Sequence, residues 1–162
     1  MLRTVILILC AVGVPIVGVL AWGWTQPATV TAGREARLPA PPSRVFALVT
    51  DVEGQARWRR DVADVRPTAD GTGWIERNRR GDEIVFRTVT KEPDRLFEIA
   101  YTASLGFSGR WTGTFAPDGD GTRLAIVETV TTPGIVGRLL GRLLAPPGHH
   151  ADLYLEDLRK AL

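Results

Sequence analysis

The sequence predicts an α+β domain, an antiparallel sheet of about seven strands with helices before and after it, standing behind one N-terminal transmembrane helix. Three observations carry that prediction. The stretch from Thr4 to Trp24 holds no charged residue. From Ala63 to Val130, short β-rich runs alternate with turn clusters. After Pro133 the apolar residues return to helical spacing.

The apolar run comes first in the chain. Its 21 positions at helical rise reach roughly 31 Å, the thickness of a bilayer's hydrocarbon core. Trp22 and Trp24 close it, where indole rings settle at the water interface, and Pro15 inside it is tolerated in membrane helices. Residues 1–25 are therefore read as a single-pass anchor contacting the membrane through residues 4–24, and residues 26–162 as one domain of ordinary size. A cleaved signal peptide is the alternative, with Val19 and Ala21 as small residues before a cleavage site. Arg3 alone precedes the run while Arg34 and Arg37 follow it, so the charge rule is nearly silent on orientation. The short basic tail resembles an export signal and places the domain on the extracytoplasmic side. Cys10, the only cysteine, lies inside the run, which excludes an intramolecular disulfide or a cysteine-based zinc site. A net charge of +2 is far from the load of a dedicated nucleic-acid binder, and nucleic acid is not expected as a partner.

The domain opens with an extended segment from Thr29 to Leu38, stopped by Pro39, Pro41 and Pro42. Ser43 then begins a helix on the spacing of Val45, Phe46, Leu48 and Val49, ending near Asp51, with proline where a first turn accepts it. A second short helical stretch is expected over Glu53–Asp61, carrying Trp58 among arginines. Six further strands follow near 64–68, 73–79, 83–90, 96–103, 107–116 and 122–131, joined by turns such as Gly81-Asp82 and Asp118-Gly119-Asp120-Gly121. Ile135, Val136, Leu139, Leu140, Leu143 and Leu144 make one apolar face of a helix that Pro146-Pro147 interrupts. A last helix from about His149 carries Ala151, Tyr154, Leu155, Leu158 and Leu162 on one side.

Strand neighbours alternate sides, so charged residues mark the outer face of the sheet: Arg87, Glu98, Arg110 and Arg123. The inner face then takes Ile84, Phe86 and Thr88; Phe97, Ile99 and Tyr101; Trp111, Gly113 and Phe115; Leu124, Ile126 and Glu128. It is apolar and rich in aromatics.

The Pro-rich start "LPAPPSRVFALVTDVEGQARWRRDV", the hairpin "FSGRWTGTFAPDGDGTRL" and the closing amphipathic helix resemble the START-like superfamily that includes polyketide cyclases and Bet v 1 proteins, over residues 29–162. The resemblance implies a helix-grip fold, a curved antiparallel sheet wrapped round the C-terminal helix, with a cavity between them. It implies a hydrophobic ligand there, bordered by Trp58, Trp74, Phe86, Tyr101, Trp111, Phe115, Ile126, Leu139 and Leu143. Enclosing ten methylene groups is worth about 8 kcal/mol before entropy losses, enough for micromolar binding of a lipid, isoprenoid or polyketide. Pro146-Pro147 departs from the family pattern by breaking the closing helix.

Candidate chemistry is thin. His149 and His150 are adjacent, point about 100° apart on a helix, and make a poor chelating pair; they are read as the start of the last helix. Asp118 and Asp120 resemble a calcium loop, but Thr129 stands where its twelfth-position carboxylate belongs, so a hairpin turn explains them. No metal site and no cofactor is expected. Glu76 and Glu128 are the candidate catalytic carboxylates because alternation sends both inwards, where burial raises a carboxyl pKa, with Tyr101 as an assisting donor. The competing reading has each reaching solvent or meeting an arginine such as Arg77. Trp58 and Trp111 either stack on a ligand or belong to the core. Three functions follow: a membrane-anchored binder of a hydrophobic small molecule, a cyclase or dehydratase using an inward carboxylate, and an interaction or regulatory module filled by its own side chains.

Overall fold

A computed structural model of the chain describes residues 15, 17–19, 21–144 and 146–162. The anchor expected over residues 4–24 lies largely outside them. Residues 17–19 and 21–25 are helical, and no helix among the described residues is long and apolar enough to cross a membrane.

Seven strands form one antiparallel sheet: β1 (Thr29–Leu38), β2 (Val62–Pro67), β3 (Trp74–Asn78), β4 (Glu83–Glu92), β5 (Leu96–Ala103), β6 (Ser108–Asp118) and β7 (Gly121–Thr131). Their order across the sheet is β1-β7-β6-β5-β4-β3-β2. The meander β2 to β7 is sequential, as short hairpin connections require, and β1 returns to the far side to pair with β7. Three helices complete the domain: α1 (Pro42–Thr50), α2 (Ile135–Leu144) and α3 (His149–Ala161).

Pro41 sits in extended geometry ahead of α1 and Pro42 occupies its first turn, so no backbone donor is lost there. Val45, Phe46 and Val49 face inward, and the Phe46 ring meets Phe115 edge-on at 5.3 Å, docking α1 on the sheet. Thr122, fully buried on β7, donates its hydroxyl to Ala40 O at 2.7 Å and fixes the corner between β1 and α1. The helix expected over Glu53–Asp61 is only a single 3₁₀ turn over Glu53–Arg57, after which the chain extends into β2. Its anchor is Gln55, buried, which donates Nε2 to Val49 O at 2.8 Å.

Alternation places the predicted faces correctly along β5, β6 and β7, where Phe97, Tyr101, Gly113, Phe115, Leu124 and Ile126 are buried. Thr88 is exposed instead, because a register shift between Thr88 and Thr90 interrupts the alternation of β4. On the other side of the core α3 buries Ala151, Leu155 and Leu158 at i, i+4 and i+7. Arg34 on β1 clasps it through Asp152, with Nε donating to Oδ1 at 2.6 Å. The backbone N–H and Nε of Arg60 both donate to Asp157, at 2.9 and 2.7 Å.

Candidate functional site

The concave side of the sheet carries a ladder of aromatic rings. Trp74, Phe86, Tyr101 and Gly109 are direct register partners on β3, β4, β5 and β6, and neighbouring strands stand about 4.8 Å apart, which brings such side chains into contact. Trp74 stacks on Phe86 with centroids 5.3 Å apart and planes 8° from parallel, and Phe86 reaches Tyr101 at 5.5 Å. A second aromatic group closes the space beneath α3. Tyr154 meets Trp58 at 5.3 Å and Trp111 at 5.8 Å, and Trp111 meets Phe97 at 6.3 Å, all edge to face. Between sheet and helix the interior is occupied by these rings.

Each inward carboxylate is engaged. Glu76 is buried and accepts from Arg59 at 2.9 Å and from the Trp74 indole at 3.2 Å. Arg59 also donates to Gln55 at 2.8 Å and to Asp61 at 2.9 Å, and its guanidinium lies 5.6 Å from the Tyr154 ring centroid. Burial works against the charge on Arg59, but Glu76 and Asp61 outweigh it and lift its pKa above the ordinary value. The arginine that Glu76 meets is thus Arg59, not Arg77, whose alternation sends it to the outer face beside Asp64. Glu128, half-buried on β7, accepts from the Tyr101 hydroxyl at 2.7 Å. Burial first, and the Glu128 charge second, push the Tyr101 phenol well above its ordinary pKa and keep it a proton donor. Four strand spacings separate Glu76 from Glu128, about 19 Å along the sheet, so the two do not form a catalytic pair.

Of the nine residues expected to border a ligand, Trp74, Phe86, Tyr101, Phe115 and Ile126 belong to the buried core, and Trp58 and Trp111 pack against it. Leu139 and Leu143 do not join them. Leu139 is buried against Gly23 of the N-terminal helix, and Leu143 is 68% exposed. An amphipathic stripe announces that α2 packs on something; it does not name the partner, and the partner of Leu139 is the helix that precedes β1. Arg59, Gln55 and Tyr154 are the site residues that sequence spacing missed. Tyr154 was legible as an inward position of the last helix; the two polar residues, far in sequence from Glu76, carried no such signal.

Two polar features remain open. Trp58 Nε1 is buried without a hydrogen-bond partner among the described residues, and an indole donor in that state is uncommon. A hollow of about 270 Å³ opens beside α1 and the β2–β3 turn, lined by Thr50, Val52, Thr72, Trp74, Lys91 and Phe97 among others. Trp74 and Phe97 are core residues that border this hollow. His149 and His150 begin α3, and Asp118 pairs with Gly121 across the β6–β7 turn with Gly119 at φ 60°.

The fold has many known relatives in structure. Mll3558 from Rhizobium loti matches with a TM-score of 0.62 at 25% identity over 83% of this chain and 97% of its own. TTHA0849 from Thermus thermophilus matches with a TM-score of 0.63 at 23% identity, covering 81% and 95%. A START superfamily protein from Mycobacterium smegmatis matches with a TM-score of 0.61 at 14% identity, again covering 81% and 95%. No curated protein matches the sequence. The family model for polyketide cyclase / dehydrase and lipid transport proteins matches residues 29–155, from the first strand into the last helix. The chain belongs to that polyketide cyclase / dehydrase and lipid transport family.

Proposed function

We propose that this protein is a membrane-anchored binding domain that takes up a hydrophobic small molecule, a lipid, isoprenoid or polyketide, between its sheet and α3. Trp58 Nε1 carries the reading: a buried donor with no partner among the described residues, set in an aromatic wall, fits a ligand that brings one oxygen and an apolar body. The family's lipid-transport membership and the uncharged run at residues 4–24 support the ligand class and the tether. Uptake requires Tyr154 to part from Trp58 and Trp111, and the hollow at Trp74 and Phe97 is the route by which the interior reaches solvent. Native mass spectrometry of the full chain after mild extraction tests this. Retention of one defined hydrophobic molecule is the expected result.

The ring-filled interior favours a second reading, an interaction module that holds no ligand, and a clean apo mass would select it. A cyclase or dehydratase role rests on Glu128, since Glu76 is committed to Arg59 and Trp74. That role requires Glu128→Gln to abolish turnover of the retained molecule while leaving its binding intact.

A further inference from the structure

Two helices carry most of the large apolar side chains exposed among the described residues. Of ten large hydrophobic side chains exposed among the described residues, seven lie on them: Val17, Val19, Trp22 and Trp24 on the N-terminal helix, and Val136, Leu140 and Leu143 on α2. That concentration is not the scatter of single apolar residues normal on a protein surface.

The two helices touch. Gly23 is buried, and a Cβ placed on it would lie 2.6 Å from Ile135 Cγ2 and 2.8 Å from Leu139 Cδ1, so the contact depends on glycine. α2 therefore spends one stripe, Ile135 and Leu139, on the N-terminal helix and leaves a second, Val136, Leu140 and Leu143, facing outward. Arg138 holds this arrangement to the domain. Its three guanidinium nitrogens donate to Thr132 O at 3.0 Å, Gln26 O at 3.1 Å and Pro133 O at 2.7 Å.

Charge identifies the occupant. No acidic residue precedes Glu35, and none lies between Glu128 and Asp152, whereas Arg142 is exposed in the second stretch. An apolar stripe bordered by an exposed arginine, in a stretch of chain without carboxylates, suits a helix that lies in the headgroup region of an anionic bilayer. The N-terminal helix continues an uncharged run that ends in two tryptophans, and α2 is packed against the turn between them.

We propose that α2 and the N-terminal helix, at residues 17–19 and 21–24, form one membrane-contact surface, with α2 lying along the headgroup–acyl boundary, so that the domain is seated on the bilayer instead of swinging from its anchor. The proposal rests on the membrane reading of residues 4–24. In its test, the full chain carrying Cys10→Ser receives a single cysteine by Leu143→Cys, or by Val127→Cys on the outer face of the sheet. Both positions are exposed, at 68% and 47%, so neither change disturbs packing. Each is labelled with an environment-sensitive fluorophore and reconstituted into vesicles of phosphatidylcholine and phosphatidylglycerol.

The expected result is flotation of both with the vesicles, with nitroxide-bearing lipid quenching the label at 143 several-fold more than at 127, and aqueous iodide doing the reverse. Flotation with equal iodide quenching at both sites overturns the seated domain and leaves the anchor standing. Failure to float overturns both. Shielding of position 143 from iodide without lipid quenching also overturns the proposal, because the cover is then protein: a second copy if dilution exposes the label, residues 4–14 of the same chain if it does not.

Discussion

Tyr101 donates its hydroxyl to Glu128 Oε1 at 2.7 Å across a gap that only Gly109 leaves open. A Cβ on Gly109 would lie 2.5 Å from both the Cζ and the hydroxyl oxygen of Tyr101, and equally close to Thr129 O. The hydrogen bond, the ring ladder above it and the register of β5, β6 and β7 thus converge on one residue without a side chain. Gly109→Val is expected to cost about 2 kcal/mol by overpacking. A urea transition whose midpoint falls at unchanged slope checks this; an unmoved midpoint would mean that Tyr101 swings away freely.

The alkaline titration follows from the same pair. Tyr101 and Tyr154 are the only tyrosines, and both phenols are raised above the ordinary value of 10.0, each by burial first and by nearby carboxylates after it. Only Arg59, beside Tyr154, pulls the other way. The folded state holds both protons where the unfolded chain releases them. Stability is therefore whole below pH 10 and declines as the pH climbs above it. Ultraviolet difference absorbance of the native protein is expected to show no phenolate step near pH 10, with both tyrosines appearing together on alkaline unfolding. A reversible step for one tyrosine in the folded protein would contradict the burial described for it.

The Arg59–Glu76 pair is the most enclosed ion pair among the described residues, with side chains 16% and 7% exposed. Removing one member strands the other, so Glu76→Met and Arg59→Met are each expected to cost about 3 kcal/mol. The double variant, with Met at both positions, should recover much of that loss, because no buried charge is left behind and Asp61 stays half exposed to water. Urea midpoints of the three variants and the parent form the cycle. Additive losses would show that Gln55 and Asp61, not Glu76, hold the guanidinium.

Sequence periodicity carried the fold a long way and the site a shorter one. Alternation put Phe86, Tyr101, Phe115 and Ile126 on the inner face because every strand obeys a period of two, and it failed at Thr88, where one extra residue in β4 shifts the register. Glu76 was legible as inward, but its partner was not. Arg77 adjoins it in sequence and, by that same alternation, points the other way, while Arg59 comes from a turn whose geometry depends on Gln55 reaching Val49. Leu139 failed for a different reason: a helix states how apolar its face is, not which neighbour will cover it.

Asp157 on α3 faces Arg60 and accepts both its backbone N–H and its Nε. Burial opposes its charge, but the Arg60 hydrogen bonds prevail and hold the carboxyl below its ordinary 3.8. A depressed carboxyl contributes stability above the unfolded value and loses it as the pH falls through the folded one. Asp157→Asn is thus expected to destabilise the protein at neutral pH, with the gap to the parent closing below about pH 4. Thermal melts at several pH values read that difference directly; a gap constant with pH would assign the loss to packing instead of charge.

Trp58 separates architecture from binding. Its ring packs edge-on against Tyr154, while its Nε1 meets no acceptor among the described residues. Trp58→Phe keeps an aromatic ring and deletes the stranded donor, so its stability should stay within about 1 kcal/mol of the parent. Trp58→Ala also deletes the ring and should cost about 3 kcal/mol through the space it leaves. If the indole donor meets a ligand oxygen, Trp58→Phe weakens retention of the co-purifying hydrophobic molecule about tenfold, the worth of one ordinary hydrogen bond. Competition between parent and variant for a limiting amount of that molecule, read by native mass spectrometry, measures this. Equal retention would leave Trp58 a core residue with an unpaired proton and remove the main support for a polar-headed ligand.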